Sequence, residues 1–172
     1  FSFHREENVD NKINLQKFVK IINQLSKTHK EKIVLSLHPR TKKNLIFNNF
    51  KLDKKIIVNK PFGFFEYINL QLNSKITFSD SGTIPEEASI LGIKAICLRD
   101  GHERQESSIL PSVVMSELDF KQINLAMKVL IQSKQKLQIL DDYKEDNISE
   151  KIPKIIASYT SIINKKVWKK NL

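Results

Sequence analysis

Five short apolar runs, "KIVLSLH", "KKIIVNK", "KITFSD", "AICLRD" and "SVVMS", recur along the chain, most of them separated by a stretch of helical periodicity. Nothing else in the sequence restricts the fold as tightly. Short apolar runs without strict polar alternation suit strands buried on both faces, and such strands belong to parallel sheets. Each parallel pair needs a long crossover, which the intervening segments can supply as helices. Residues 11–29 carry Leu15, Phe18, Ile22 and Leu25 on one helical face, and "FFEYINLQLN" carries Phe64, Tyr67, Ile68 and Leu72. Helices are also expected over 40–47, 84–91, 119–133 and 149–168, and residues 1–3 read as the end of a strand. The expectation is an α/β fold with a mostly parallel sheet covered on both faces.

A chain of 172 residues is long enough to bury one real core in such a Rossmann-like domain. The last helix is free to pack elsewhere. No stretch approaches the roughly 18 apolar residues of a membrane span. Residues 1–20 are charged and lack a signal-peptide core, so a cytoplasmic location and no membrane partner are expected. The single cysteine, Cys97, lies in an apolar run and reads as a buried thiol, with no zinc site to be built from it. The formal charge is +10, yet only four of the 29 basic residues are Arg, and the lysines are scattered without an aromatic-interleaved stripe. That pattern describes a solvated surface, and no nucleic-acid partner is expected.

Parallel α/β sheets bind ligands beyond the carboxyl ends of their strands. The scarce residues fall there. His4 and Arg5 follow the first strand, His38 and Arg40 the second, Pro61-Phe62-Gly63 the third, Asp80-Ser81-Gly82 the fourth, and Arg99 to Arg104 with His102 the fifth. All four arginines and three of the four histidines thus sit at one edge. Arg supplies the planar bidentate donor that phosphate and carboxylate recognition needs.

The stretch "FSDSGTIPEEASILG" opens a helix at that edge. Thr83 with Glu86 fits a capping box, Pro85 suits the first turn, Ile84, Ala88 and Leu91 give the buried stripe, and Gly92 stops the helix. A capped helix start leaves Ser81-Gly82 and Glu87 unexplained. Backbone N–H groups before a helix N-terminus can bind an anion, and a carboxylate one turn inside can accept from ribose hydroxyls. His4 reads either as a surface histidine or as a phosphate or proton-transfer group. Tyr67 reads either as a rim aromatic of the core or as a base-stacking ring. Glu6, Glu7 and Glu103 read as solvated or paired with nearby Arg. The sequence has no GxGxxG, no GK[ST], no HExxH and no serine nucleophile elbow.

"HREENVD", "HPRT", "PFGFFEY", "DSGTIPEEASILG" and "LRDGHERQE", in this order, resemble the successive nucleotide-site motifs of the non-hydrolysing UDP-N-acetylglucosamine 2-epimerases. The resemblance runs from residue 1 to about 106, and "SYTSIINKKVWKK" is similar to the family's closing helix. The wording is most similar to the branch that forms UDP-N-acetyl-L-fucosamine from a UDP-2-acetamido-2,6-dideoxy-L-talose-type sugar.

The resemblance implies a GT-B-type fold of two Rossmann-like domains, of which this chain is the C-terminal, UDP-binding half. Residues 1–150 would be that domain and 151–172 the closing helix. It implies epimerisation at C2 by eliminating UDP and adding it back, for capsule, O-antigen or other envelope polysaccharide precursors. No nicotinamide cofactor or metal is then required. His4 would face the pyrophosphate and is the catalytic candidate. Tyr67 would lie by the uracil, Ser81, Gly82 and Thr83 would bind phosphate, Glu87 would hold the ribose, and Arg104 would neutralise the pyrophosphate. Arg5 and His38 match positions that contact a second, regulatory UDP-sugar. The expected partners are UDP and UDP-N-acetyl amino sugars, the family's N-terminal domain, and a second copy in a homodimer. The carboxylates that move the C2 proton belong to that N-terminal domain, which is absent from this chain, so the chain alone is expected to bind UDP without turnover. Two departures stand out: Thr83 where the family more often has Gly, and "ERQESSILPS" in place of ERPE followed by a Gly-containing stretch. The alternatives are the donor-nucleotide half of a GT-B glycosyltransferase and an inactive remnant.

Overall fold

The computed structural model describes residues 1–99, 113–133, 139 and 141–170, with Asp142 by its backbone alone. These fall into two compact units, Phe1–Leu140 and Asp141–Leu172.

The first unit is built on parallel strands: β1 (Ile33–Ser36), β2 (Ile56–Asn59), β3 (Thr77–Ser79), β4 (Ala95–Cys97) and β5 (Val113–Met115). β1 pairs with β2, and β3 with β4 and β5, all in parallel. Ser2 bridges both groups, opposite Ser36 on one side and Ser79 on the other. The order across the sheet is therefore β2, β1, residues 1–3, β3, β4, β5. The change of direction in strand order falls beside residues 1–3, where the crevice of an open α/β sheet forms.

The period-2 alternation of a strand explains how both faces are filled. Ala95 and Cys97 of β4 pack with Ile84 and Ala88 of helix α5 (Ile84–Leu91). Ile96 between them packs on the opposite cluster, with Phe78, Ile123 and Leu130. That larger cluster is built on α2 (Lys12–Thr28), whose Leu15, Phe18, Ile22 and Leu25 are all buried, as the spacing predicts. Phe3 stacks on Phe18 at 4.1 Å between centroids, so α2 grips the central strand directly. Each such buried side chain contributes about 1.5–3 kcal/mol. Asn11 caps α2 by accepting from the Ile13 and Asn14 amides, and Asp119 caps α6 (Phe120–Gln132) by accepting from Gln122. Cys97 is a buried free thiol.

Residues 6–9 form a short helix, α1 (Glu6–Val9). Two local expectations are corrected. Helix α4 (Phe64–Leu72) exposes Phe64 and Leu72 and buries Gln71 instead. The helical period is right but the buried face is rotated, because the residue that α4 turns inward answers a polar partner described below. At α5 no capping box forms: Thr83 is already in the helical region and its side chain makes no cap. Pro85 in the first turn and the buried Ile84 and Ala88 are as expected, Leu91 is half-buried, and Gly92 at φ 64° and ψ 37° ends the helix. Helix α3 (Pro39–Phe47) follows β1, and Thr41 ties it to the central strand by donating to the Phe3 carbonyl.

The second unit holds a short 3-10 turn (Asp141–Tyr143), then α7 (Ile148–Ile162), then a π-helical turn (Ile163–Val167). The long helix expected over 149–168 is thus two helical types in series. Ile148, Ile152, Ile155, Tyr159 and Ile162 form an exposed apolar row on α7.

Candidate functional site

The carboxyl ends of residues 1–3 and of β3 are joined by one buried carboxylate. Asp80 is fully buried. It accepts from the His4 amide at 3.0 Å, the Arg5 amide at 3.0 Å and the Asn8 side-chain amide at 3.2 Å. Its other neighbour is His4 Nδ1, at 3.3 Å. The backbone amides it accepts from belong to the two residues just before α1, which begins at Glu6. Here the acid comes from a different strand, so it fixes the position of one loop against the other.

His38 is held differently: its Nδ1 accepts from the Arg40 amide at 3.2 Å, which caps α3 and leaves Nε2 turned to the other side of the ring. The two imidazoles lie 5.7 Å apart by ring centroids. One edge of the sheet therefore presents two imidazole rings side by side.

Ser81, Gly82 and Thr83 form the turn between β3 and α5. The Ser81 amide donates to Ser79 Oγ at 3.0 Å and the Thr83 amide to Ser81 Oγ at 3.3 Å. These two amides are thus taken within the turn, where exposed N–H groups are expected. The Thr83 hydroxyl donates to Glu87 Oε1 at 2.6 Å and lies 2.9 Å from the Ser81 hydroxyl. Glu87 Oε2 accepts from Gln71 Nε2 of α4 at 2.7 Å. Glu87 is half-buried, and its carboxylate is held at both oxygens.

Tyr67 of α4 sits over the strand ends. Burial pushes its hydroxyl above the ordinary value, with hydrogen bonds to Ser2 and Ser79 pulling the other way and the Glu87 and Asp80 charges adding to the rise. Ser2 and Ser79, the two serines that bond the Tyr67 hydroxyl, lie opposite each other across the sheet.

The arginines at this edge are engaged with acids. Arg5 pairs with Glu7 at 2.6 Å, and Arg40 with Glu6 and Asp10, each at 3.0 Å. Burial works against ionisation of Glu7, but a backbone hydrogen bond and the Arg5 and Arg99 charges outweigh it and lower its pKa. The pairing of Glu6 and Glu7 with nearby Arg is as the sequence predicts. Arg104 lies outside the described residues, as do Glu103 and His102.

The structure brings His4, Arg5, His38, Tyr67, Ser81, Gly82, Thr83 and Glu87 to the same edge. Two residues with a part in this cluster carry no sequence signal as site residues. Asp80 reads only as the start of a turn, and its role needs the pairing of residues 1–3 with β3. Gln71 reads as one of several polar residues on an amphipathic helix.

Comparison with known proteins agrees with this architecture. The family model described as UDP-N-acetylglucosamine 2-epimerase matches residues 1–157. The UDP-N-acetylglucosamine 2-epimerase of Methanocaldococcus jannaschii is 34% identical over 137 residues, covering 77% of this chain and 37% of the relative. A crystal structure of the M. jannaschii UDP-GlcNAc 2-epimerase in complex with UDP-GlcNAc and UDP superposes with a TM-score of 0.77 at 30% identity, over 91% of this chain and 44% of that one. The UDP-N-acetylglucosamine 2-epimerase of Rickettsia bellii superposes with a TM-score of 0.74 at 34% identity, over 98% of this chain and 46% of that one. The chain belongs to the UDP-N-acetylglucosamine 2-epimerase family. It spans less than half the length of these relatives.

Proposed function

We propose that this chain is the UDP-binding half of a UDP-sugar 2-epimerase that acts on UDP-N-acetyl amino sugars. The observation that carries the reading is Asp80. One buried carboxylate locks the His4–Arg5 turn against the Ser81–Gly82–Thr83 turn, which places two polar loops and Glu87 around one crevice at the strand ends. The superposition on an epimerase whose structure holds UDP-GlcNAc and UDP supports the same crevice as the nucleotide site.

In this reading the uracil lies by Tyr67, the ribose hydroxyls donate to Glu87, and the phosphates meet His4 and the turn 81–83 at the start of α5. Arg104 completes the charge balance on the pyrophosphate. Arg5 and His38 hold a second UDP-sugar that regulates the enzyme. In the reaction the C2 proton is removed and the C1–oxygen bond to UDP breaks, so UDP leaves with the electron pair and a glycal remains. Addition of UDP and a proton from the other face gives the inverted C2. This half stabilises the departing UDP: the helix dipole of α5 and hydrogen-bond donors act where negative charge develops. The His4 ring, with Nδ1 3.3 Å from Asp80, is the catalytic candidate beside the phosphates. The carboxylates that carry the C2 proton lie in the family's other domain, and turnover needs that domain. A homodimer of the full-length protein and a cytoplasmic location complete the reading. Among the described residues, no helix is long and apolar enough to cross a membrane.

Calorimetric titration of the chain with UDP tests this. Saturable binding is expected, weakened about tenfold or more in Glu87→Ala, which loses two charge-assisted hydrogen bonds to the ribose. Absence of binding at millimolar UDP would contradict the proposal.

A further inference from the structure

We infer that Gln71 is a positioning residue that fixes the Glu87 carboxylate for recognition of the ribose diol. The inference rests on the nucleotide reading above and deepens it.

Gln71 is 2% exposed, in the middle of the face that α4 turns inward. Its Nε2 donates to Glu87 Oε2 at 2.7 Å. A carboxylate only accepts, so the amide orientation is fixed: the nitrogen faces Glu87 and the carbonyl faces away. That carbonyl oxygen is the one buried side-chain polar atom among the described residues that has no hydrogen-bond partner. An unpaired buried carbonyl destabilises the folded state, and a methionine or leucine of similar volume would fill the position without it. The amide is therefore not explained by the core. Its one hydrogen bond goes to Glu87.

The second oxygen of Glu87 is held from the opposite side, by the Thr83 hydroxyl at 2.6 Å. One donor comes from α4 and the other from the turn before α5, so the plane of the carboxylate is set by two separate elements. Each oxygen has two acceptor directions, and each keeps one open after these bonds. The two oxygens of one rigid carboxylate, each with an acceptor direction left, match the two adjacent hydroxyls of a ribose. Holding the carboxylate before the ligand arrives removes the cost of ordering a long, rotamer-rich side chain on binding. Thr83 is thus one jaw of the clamp and Gln71 the other.

The test compares UDP with 2′,3′-dideoxy-UDP, titrated into the 15N-labelled chain and followed by amide shifts, alongside thermal unfolding. The parent should bind UDP about tenfold or more tightly than the dideoxy analogue. Gln71→Met should bind UDP about five- to tenfold more weakly than the parent, bind the dideoxy analogue within twofold of the parent, and unfold at the same temperature or higher. Glu87→Gln should lose the same discrimination, and adding Gln71→Met to it should change UDP affinity by less than twofold, because residues acting through one another are not additive. A Gln71→Met chain that binds UDP like the parent overturns the inference. So does one that weakens both ligands alike or unfolds earlier, since that is a structural role. A parent that binds neither ligand overturns the nucleotide reading itself, and this inference with it.

Discussion

Removing the Asp80 carboxylate should cost more stability than any other single change at the site. Asp80→Ala leaves the His4 and Arg5 amides and the Asn8 side-chain amide without the acceptor they share. A hydrogen bond to a charged group contributes about 1.5–3 kcal/mol. Three of them cannot simply be added, because His4 and Arg5 are half-buried and their amides can recruit water once the turn loosens. Asn8 is 7% exposed and has less recourse. The expected loss is therefore about 3–5 kcal/mol, in the range seen when one partner of a buried charge contact is deleted. With a urea dependence of about 2 kcal/mol per molar, the unfolding midpoint should fall by roughly 1.5–2.5 M. Asp80→Asn keeps the shape and one acceptor oxygen but turns an NH₂ group toward the donors, and should lose about 2 kcal/mol. Amide hydrogen exchange in the Asn variant gives the local signature: His4 and Arg5 should exchange faster while Ile96 and Leu98 keep their protection. A midpoint shift under 0.5 M (about 1 kcal/mol, by the same slope) for Asp80→Ala would refute the argument that Asp80 joins the two loops.

Gly92 ends α5 in the left-handed region at φ 64°, with open space where a side chain would go. Gly92→Ala should therefore cost about 1–2 kcal/mol through backbone conformation alone, and a neutral result in urea unfolding would contradict that cause. Tyr67 has a hydroxyl pushed above its ordinary 10.0 by burial. Its unfolded form ionises first, so the stability it contributes is present below pH 10.0 and is lost as pH rises from there toward the folded value. Tyr67→Phe should remove the component of the 295 nm alkaline titration that ionises above the ordinary tyrosine range, and an unchanged curve would contradict it. Phe18→Ala empties a place where Phe3 stacks at 4.1 Å and should cost about 3–5 kcal/mol, read by the same urea unfolding; a loss under 1 kcal/mol would contradict the gripping of residues 1–3 by α2.

The strand–helix alternation was legible because buried parallel strands and amphipathic helices write their periods locally. "KITFSD" and "AICLRD" needed no tertiary information to be read as strands, and Ala95, Ile96 and Cys97 fall on two faces as the pleat requires. The crowding of scarce Arg and His at strand ends was also legible, since it follows from topology. What sequence could not carry is contact between distant elements. Helix α1 is only four residues, too short for a periodic signal, and the acid that accepts from the amide of Arg5, just before it, is 75 residues further along the chain. Gln71 turned inward against the apparent apolar stripe because its partner, Glu87, lies on another helix, 16 residues on. The capping box failed for a related reason: the Thr83 hydroxyl that would close it is drawn to Glu87 one turn further in.

The most direct measurement is where UDP touches the chain. Amide shifts of the 15N-labelled protein, followed as UDP is added, should change first and most at His4, Tyr67, Ser81, Gly82, Thr83 and Glu87, and should need about tenfold or more UDP to saturate in Glu87→Ala. Shifts spread over the scattered surface lysines and abolished by modest salt, with the 80–87 turn unmoved, would show nonspecific anion binding and contradict a nucleotide site at the carboxyl edge of this sheet.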